Sequence, residues 1–136
     1  MEETLKISSD PVVPGVIRIH RGGHEEDFPR PFVAVLGGVH GNEACGLHAI
    51  ERLRERAERG ELPLEKGTLF LIHGNPIASA KGTRYTGADL NRLFSFEFEG
   101  ELTKERWTLE HRRAIELKPI LAELDAAIDL HSATAP

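Results

Sequence analysis

Short apolar runs alternate with longer amphipathic segments along the chain, and this alternation predicts strands joined by helices. The runs at 31–38 (PFVAVLGG) and 67–74 (GTLFLIHG) are apolar on both faces, which is typical of inner strands of a parallel sheet. The segment 15–22 (GVIRIHRG) instead alternates apolar and polar positions, so we expect an outer strand there. The segment 126–131 (AAIDLH) predicts a further inner strand.

Two longer segments carry the spacing of amphipathic helices. In the segment 43–59, apolar residues recur at steps of three and four among charges, and Gly60 is the predicted end of the helix. The segment 102–125 is also helical in pattern, with Thr103 as its predicted N-cap and Pro119 as a kink or break. Between the strand at 67–74 and this second helix, the polar residues 75–94 show too little periodicity for one regular element, and long loops of this kind are often functional.

Composition narrows the class of protein. The chain has 136 residues, of which 40% are hydrophobic and 29% charged, and this predicts one globular domain with a real core. A net charge of -5 without basic runs argues against a nucleic acid or an anionic membrane as the main partner. The single cysteine, Cys45, cannot form an internal disulfide, and no signal peptide is evident, so we expect a cytoplasmic protein. The sequence indicates no particular oligomeric state.

Candidate metal ligands follow the predicted strands, where the ligands of α/β proteins gather. His40 and Glu43 come after the strand at 31–38, and His131 closes the last strand. Two histidines and one carboxylate are a common ligand set for catalytic zinc. We expect Gly37 and Gly38 to permit a sharp turn and to leave room for substrate. The spacing alone also fits a simpler interpretation, in which Asn42 caps a helix and His40 is an ordinary loop residue.

Several motifs, taken in order, resemble one known family. They are GGVHGNE at 37–43, NP at 75–76, Arg84, DLNR at 89–92 and DLH at 129–131. In this combination the chain, from about residue 31 to its end, resembles the succinylglutamate desuccinylase and aspartoacylase family, which is related to the zinc carboxypeptidases. The resemblance implies an α/β fold of the zinc carboxypeptidase type, with a mixed, mostly parallel sheet and helices on both faces.

The resemblance also implies the metal site. One zinc ion would be held by His40, Glu43 and His131, and Asp89 would orient a ligand histidine from behind. A carboxylate in that position fixes the tautomer of the imidazole and raises its basicity.

For substrate binding, the resemblance points to Arg84, Asn91 and Arg92. Arg92 and Asn91 would hold a carboxylate, while Arg84 would also polarise the scissile carbonyl. A guanidinium group grips a carboxylate through two parallel hydrogen bonds, and a cation beside a developing oxyanion lowers the barrier. The simpler alternative is that DLNR caps a helix and that Arg84 lies in solvent.

The implied activity is zinc-dependent hydrolysis of the amide bond of a small N-acyl amino acid, acidic or otherwise carboxylate-bearing, with a slight preference for the desuccinylase side. In the family, a general-base glutamate follows the third zinc ligand at a distance, whereas only SATAP follows His131 here. We therefore expect residues 1–136 to form the N-terminal part of a deacylase catalytic domain whose remainder lies beyond the chain. The alternatives are a metallocarboxypeptidase and a noncatalytic zinc-binding or ligand-binding module.

Overall fold

A five-stranded sheet with helices on both faces organises the chain. The computed structural model describes residues 4–22, 27–95 and 97–133. The strands are β1 (Lys6–Ser9), β2 (Val16–His20), β3 (Phe32–Gly37), β4 (Thr68–His73) and β5 (Ala126–Asp129). The helices are α1 (Ala44–Glu58), α2 (Pro76–Lys81) and α3 (Leu109–Ala122), and two 3-10 turns lie at Leu90–Arg92 and Lys104–Arg106.

The strand order is β1-β2-β4-β3-β5, which confirms the mixed sheet. β3 is parallel to both of its neighbours, β4 and β5, whereas β1, β2 and β4 pair antiparallel. The prediction of an outer strand at 15–22 was wrong, because β1 pairs with β2 on its far side. β5 was expected to be an inner strand, but it forms an edge of the described sheet, and its four residues are exposed.

Alternate residues of the central strands enter two separate cores, as the pleat of a strand requires. Leu71 of β4 packs with Ile50 and Ala57 of α1 on one face. Its neighbours Phe70 and Ile72 face the opposite core, which contains residues of α3 and of the segments before it. This double burial explains why the sequence of β4 is apolar at almost every position, and it confirms helices on both faces.

Gly37 and Gly38, at the end of β3, are both positions where a side chain would not fit. A Cβ atom on Gly37 would collide with the backbone carbonyl group of Gly46, in the first turn of α1. The space beside Gly37 is therefore filled by the helix, contrary to the expectation that it would be left for substrate. At Gly38, where φ is +68°, a Cβ atom would lie 2.8 Å from the ring of His73. The backbone turn at Gly38 also favours glycine, since other residues rarely adopt positive φ.

Helix α3 begins later than its sequence pattern predicts. Thr108, not Thr103, is its N-cap: Oγ1 of Thr108 accepts a hydrogen bond from the backbone N–H of His111 at 3.3 Å. In return, the Thr108 N–H donates to Nδ1 of the same histidine at 3.1 Å. Thr103 precedes a 3-10 turn and makes no capping bond with its side chain. Pro119 does not break the helix, which continues to Ala122.

The segment 75–94 is more regular than predicted. Asn75 caps the short helix α2 by accepting a hydrogen bond from the N–H of Ala78 at 3.2 Å, and Pro76 occupies the first turn, where proline fits. Asp89 likewise caps the 3-10 turn at Leu90–Arg92.

In the part of the chain that the structure describes, no helix is both long enough and apolar enough to cross a membrane.

Candidate metal and substrate site

The three predicted metal ligands meet at the carboxyl ends of β3 and β5. His40 follows β3 by three residues, Glu43 is the N-cap residue of α1, and His131 follows β5 by two residues. Because β3 and β5 are parallel neighbours, their carboxyl ends lie side by side. One ligand atom from each of the three side chains lies within 4.8 Å of the others.

The Glu43 carboxylate lies between the two imidazole rings. Its Oε2 is 2.6 Å from Nδ1 of His40, and its Oε1 is 3.2 Å from Nδ1 of His131. The ring centroids of the two histidines are 4.9 Å apart. His40 and Glu43 are buried. The same nitrogen of each ring, Nδ1, thus faces the carboxylate.

The other nitrogen of each ring is directed at an aspartate. Nε2 of His40 lies 2.9 Å from Oδ1 of Asp89, and Nε2 of His131 lies 2.8 Å from Oδ2 of Asp129. An N–H donated to a carboxylate in this way leaves Nδ1 as the nitrogen with the lone pair, oriented for a metal. The contact of Asp89 with a candidate ligand matches its expected position. Asp129 was not predicted, although its place two residues before His131 on a strand pattern puts both side chains on the same side.

This donor set fits a zinc ion. Two imidazoles and one carboxylate are ligands that zinc prefers at catalytic sites, where a fourth position stays open. Both rings are held by outer carboxylates, and the three ligand side chains also line a cavity of about 420 Å³. The residues present could therefore hold the ion with one side open to a small molecule.

Local hydrogen bonds keep the acidic groups of the site ionised. Burial raises the pKa of Glu43, but the N–H of Ser132, which donates at 2.8 Å, and the two histidines outweigh it, so the pKa lies below its usual value. Burial also raises the pKa of Asp89, yet contact with His40 and the charge of Arg84 bring it below normal. For His131, burial lowers the pKa, but Asp129 and Glu43 raise it above normal overall. Glu43 is therefore held in the charged form that a metal requires of a carboxylate ligand.

Arg84 faces this cavity. Its Nη1 lies 3.7 Å from Oε2 of Glu43, and its Nη2 lies 3.7 Å from Oδ2 of Asp89. The side chain is 51% exposed, so it contacts both the acidic groups and the open space above them. The described residues that line the cavity are His40, Asn42, Glu43, Arg84, His131, Ser132 and Ala133.

Asn91 and Arg92 are placed differently from Arg84. They lie in the 3-10 turn at Leu90–Arg92, where the backbone N–H of Asn91 donates to Oδ1 of Asp89 at 3.0 Å. Neither residue is among the described residues that line the cavity. Asp89 therefore caps a turn, as the simpler interpretation of DLNR has it, and also contacts His40. The substrate-binding role of Asn91 and Arg92 stays a prediction.

Sequence analysis missed Glu110, a fully buried residue of α3. Its carboxylate accepts hydrogen bonds from Asn75 Nδ2 at 2.8 Å and from Thr86 Oγ1 at 2.8 Å. It also accepts from the backbone N–H groups of Thr86, Gly87 and Ala88 at 3.0, 2.9 and 3.1 Å. Burial raises the pKa of Glu110, but these donors lower it to about 2 overall. In the sequence, a glutamate within an amphipathic helical pattern looks like a solvent-exposed residue.

A comparison with known families decides the class of the protein. The sequence profile of the "Succinylglutamate desuccinylase/Aspartoacylase catalytic domain" matches residues 29–136. The chain belongs to this family. The resemblance drawn from the motifs is thereby confirmed.

Two curated relatives show how similar the chain is to other proteins of this kind. It is 36% identical over 109 residues to an N-acyl-aromatic-L-amino acid amidohydrolase (carboxylate-forming) of Rattus norvegicus, covering 76% of the chain and 34% of the relative. It is also 36% identical over 84 residues to a succinylglutamate desuccinylase of Yersinia pestis, covering 59% of the chain and 25% of the relative. The chain thus spans about a third or less of the length of these relatives.

Solved structures of the family share the fold. The succinylglutamate desuccinylase of Chromobacterium violaceum superposes with a TM-score of 0.69 at 25% identity, over 96% of the chain and 44% of that protein. Murine aminoacylase 3 gives a TM-score of 0.61 at 33% identity, over 76% of the chain and 35% of that protein. The predicted fold of the zinc carboxypeptidase type is therefore confirmed.

Proposed function

We propose that the protein binds one zinc ion through His40, Glu43 and His131 and hydrolyses the amide bond of a carboxylate-bearing N-acyl amino acid. The observation that carries this proposal is the meeting of the three side chains within 4.8 Å, on a cavity that Arg84 also lines. When bound, zinc supplies the Lewis acidity that activates water and polarises the scissile carbonyl.

The side chains around the ligands have distinct tasks in this proposal. Asp89 and Asp129 hold the two rings with Nδ1 toward the metal position, at 2.9 and 2.8 Å from the respective Nε2 atoms. The N–H of Ser132 donates to Oε1 of Glu43 at 2.8 Å and so fixes the carboxylate. Such fixed ligands lower the cost of binding an ion in the required geometry.

Arg84 supplies the positive charge on the substrate side. Its two 3.7 Å separations from Glu43 and Asp89 exceed hydrogen-bond length, so its guanidinium N–H groups can turn toward an oxygen of the substrate. There, Arg84 stabilises the negative charge that develops on the carbonyl oxygen of the amide. Arg92, with Asn91, holds the α-carboxylate of the amino acid in this proposal.

The activities of the two relatives support an acylated amino acid as the substrate. One is an N-acyl-aromatic amino acid amidohydrolase and the other a succinylglutamate desuccinylase, and the chain is 36% identical to each over the matched segment. The similarity therefore favours the shared substrate type without choosing between an aromatic and an acidic amino acid. We propose the acidic type, because the motifs GNP at 74–76, RY at 84–85 and DLNRLF at 89–94 favour the desuccinylase side of the family. The general-base glutamate and the assignment of residues 1–136 to the N-terminal part of the domain stay predictions, as does a cytoplasmic location.

The test is amine release by the full natural protein, loaded with zinc. The substrates are N-succinylglutamate, N-acetylaspartate, an N-acetyl aromatic amino acid and a dipeptide with a free C-terminus. We expect chelator-sensitive turnover of an acidic N-acyl amino acid. His131→Ala should abolish this turnover. The control His48→Ala, which changes an exposed histidine of α1, should leave it intact. Preference for the dipeptide would instead indicate a metallocarboxypeptidase. Tight zinc binding with no turnover of any substrate would indicate a noncatalytic binding protein.

A further inference from the structure

The segment 83–89 carries both Arg84 and Asp89. A carboxylate outside the metal site, that of Glu110, accepts hydrogen bonds from this segment. We infer that Glu110 is a positioning residue, which fixes this segment so that Arg84 and Asp89 take their places beside the metal ligands. For Arg84, the inference rests on the function proposed above.

The contacts of Glu110 converge on one short stretch of backbone. Three consecutive N–H groups, those of residues 86–88, donate to its two oxygens at 3.0, 2.9 and 3.1 Å. The Thr86 hydroxyl adds a further donor at 2.8 Å. Consecutive backbone N–H groups that point to one spot form an anion-binding concavity, and here a side chain of the same protein fills it. The conformation of 86–88 therefore depends on a carboxylate at this position.

The opposite side of the segment is attached to the turn that carries His40. The N–H of Gly41 donates to the carbonyl oxygen of Arg84 at 3.0 Å, and Asp89 lies 2.9 Å from Nε2 of His40. A Cβ atom on Gly41 would collide with the carbonyl oxygen of Thr83 and with the backbone of Ala78, so the two loops are in close contact. The segment 83–89 is thus held between Glu110 on α3 and the turn after β3.

Asn75 extends the same arrangement to the sheet. Its Nδ2 donates to Glu110 at 2.8 Å, its Oδ1 caps α2, and its backbone N–H donates to the carbonyl oxygen of Gly38 at 2.9 Å. The Glu110 carboxylate therefore ties the segment 83–89 to the ends of both β3 and β4. All of its partners named here are neutral amide or hydroxyl donors, and hydrogen bonds from such donors to an ionised carboxylate are stronger than those between two neutral groups.

Substitution with glutamine keeps the size of the side chain but replaces one acceptor oxygen by an NH2 group. That group would face backbone N–H donors, which would be left buried without an acceptor. We expect Glu110→Gln to loosen residues 83–89, because an unsatisfied donor in the interior favours a displaced backbone. A displacement of about 1 Å at a catalytic group can cost on the order of 100-fold in rate.

The experiment combines hydrogen exchange with a double-mutant cycle in the full natural protein. In Glu110→Gln, we expect faster amide exchange in 83–92, with exchange in α1 unchanged. We also expect several-fold weaker zinc binding, because Asp89 no longer orients His40 as well. The value of kcat/KM should fall by about 10- to 100-fold. In an Arg84→Ala background, assayed at saturating zinc so that weaker zinc binding does not contribute, the same substitution should lower kcat/KM by less than about 3-fold, because the remaining effect passes through Arg84. The matched control is Glu116→Gln, which removes a carboxylate from the same helix but contacts Arg113 instead of the loop.

Two results would overturn the inference. One is unchanged exchange in 83–92, and the other is a loss of kcat/KM of equal size in both backgrounds, as a general structural defect would give. If Glu110→Gln fails to fold, Thr86→Val replaces it, since this variant removes one donor to the same carboxylate. It should show the same changes in exchange and in kcat/KM at smaller amplitude. Equal losses of kcat/KM in both backgrounds would again refute the role.

The outcome for Glu110 is separable from that of the proposed function. If the unaltered protein hydrolyses none of the substrates, the proposed function fails, but hydrogen exchange and zinc affinity still report on the loop. In that case, faster exchange with weaker zinc binding upholds the positioning of the segment and of Asp89, and unchanged exchange refutes it.

Discussion

His40 and Asp89 are 49 residues apart in the chain, and Nε2 of the histidine lies 2.9 Å from Oδ1 of the aspartate. This contact joins the turn after β3 to the segment that carries Arg84. A single hydrogen bond thus connects a candidate metal ligand with the part of the protein proposed to bind substrate. Zinc affinity and substrate positioning should therefore respond to some of the same substitutions.

The first prediction concerns Asp89→Asn. We expect zinc affinity to fall by about 10- to 100-fold, because the amide no longer holds the His40 ring in the orientation and tautomer that a metal needs. A zinc titration against a competing chelator measures the change. The control Glu58→Gln removes an exposed carboxylate of α1 that pairs with Arg54, and it should bind zinc as the unaltered protein does. Equal affinity in both variants would contradict the role of Asp89.

The second prediction concerns Arg84→Lys, which keeps the charge but loses the planar pair of donors. We expect kcat/KM to fall by about 100-fold, because a point charge does not replace the directed hydrogen bonds to the developing oxyanion. Zinc affinity should change little, since Arg84 stands 3.7 Å from Glu43 and is not a ligand. Steady-state kinetics measure the effect, with Arg54→Lys on the exposed face of α1 as the control. Unchanged kinetics would show that Arg84 does not contact the transition state.

The third prediction concerns Gly41→Ala. The added methyl group would meet the backbones of Ala78 and Thr83, which cannot rotate away as the end of a side chain can. We expect a loss of about 1 to 3 kcal/mol in the free energy of unfolding, as for other overpacked interiors. Urea denaturation measures it, and Gly100→Ala is the control because its Cβ atom would have open space. Equal stability of the two variants would mean that the loops can separate without cost.

The fourth prediction follows from the pKa of Glu110, which lies at about 2 in the folded protein against an ordinary value of 4.5. A carboxyl group with a lowered pKa stabilises the fold above its unfolded-state pKa, and the contribution is lost as pH falls from 4.5 toward 2. The shift corresponds to about 3 kcal/mol. Urea denaturation from pH 7 to pH 2.5 should show the stability difference between the unaltered protein and Glu110→Gln shrinking with acidity. A difference that is constant over this range would contradict the prediction, and Glu116→Gln again serves as the control.

The elements with a strong periodic signal were predicted closely. β3, β4 and α1 lie within two residues of their predicted limits, because burial on both faces or on one helical stripe leaves an unmistakable pattern. β1 was missed because three of its four residues, KISS, are polar. α2 was missed because its six residues make fewer than two helical turns. Thr103 and Thr108 are both plausible caps locally, and only the 3-10 turn at Lys104–Arg106 separates them.

The candidate site was predictable where it depends on strand ends and family motifs. His40, Glu43 and His131 come together because β3 and β5 are parallel neighbours. The sequence predicts that these residues follow two strands, but it does not predict the strand order. Glu110 could not be found in this way. Its importance depends on the folded position of residues 86–88, and no spacing along the chain encodes that contact.

The parallel pairing of β3 with β5 also sets the distance between the two strand ends that precede His40 and His131. Adjacent strands in a sheet are about 4.8 Å apart, and the rings of His40 and His131, each just beyond one of these strands, are separated by 4.9 Å. Moving the two strands apart would require breaking the main-chain hydrogen bonds between them. Changes in the segment 83–89 other than at Asp89 can therefore alter which molecules enter the cavity, while the spacing of the two strands that lead to the histidines stays set by the backbone.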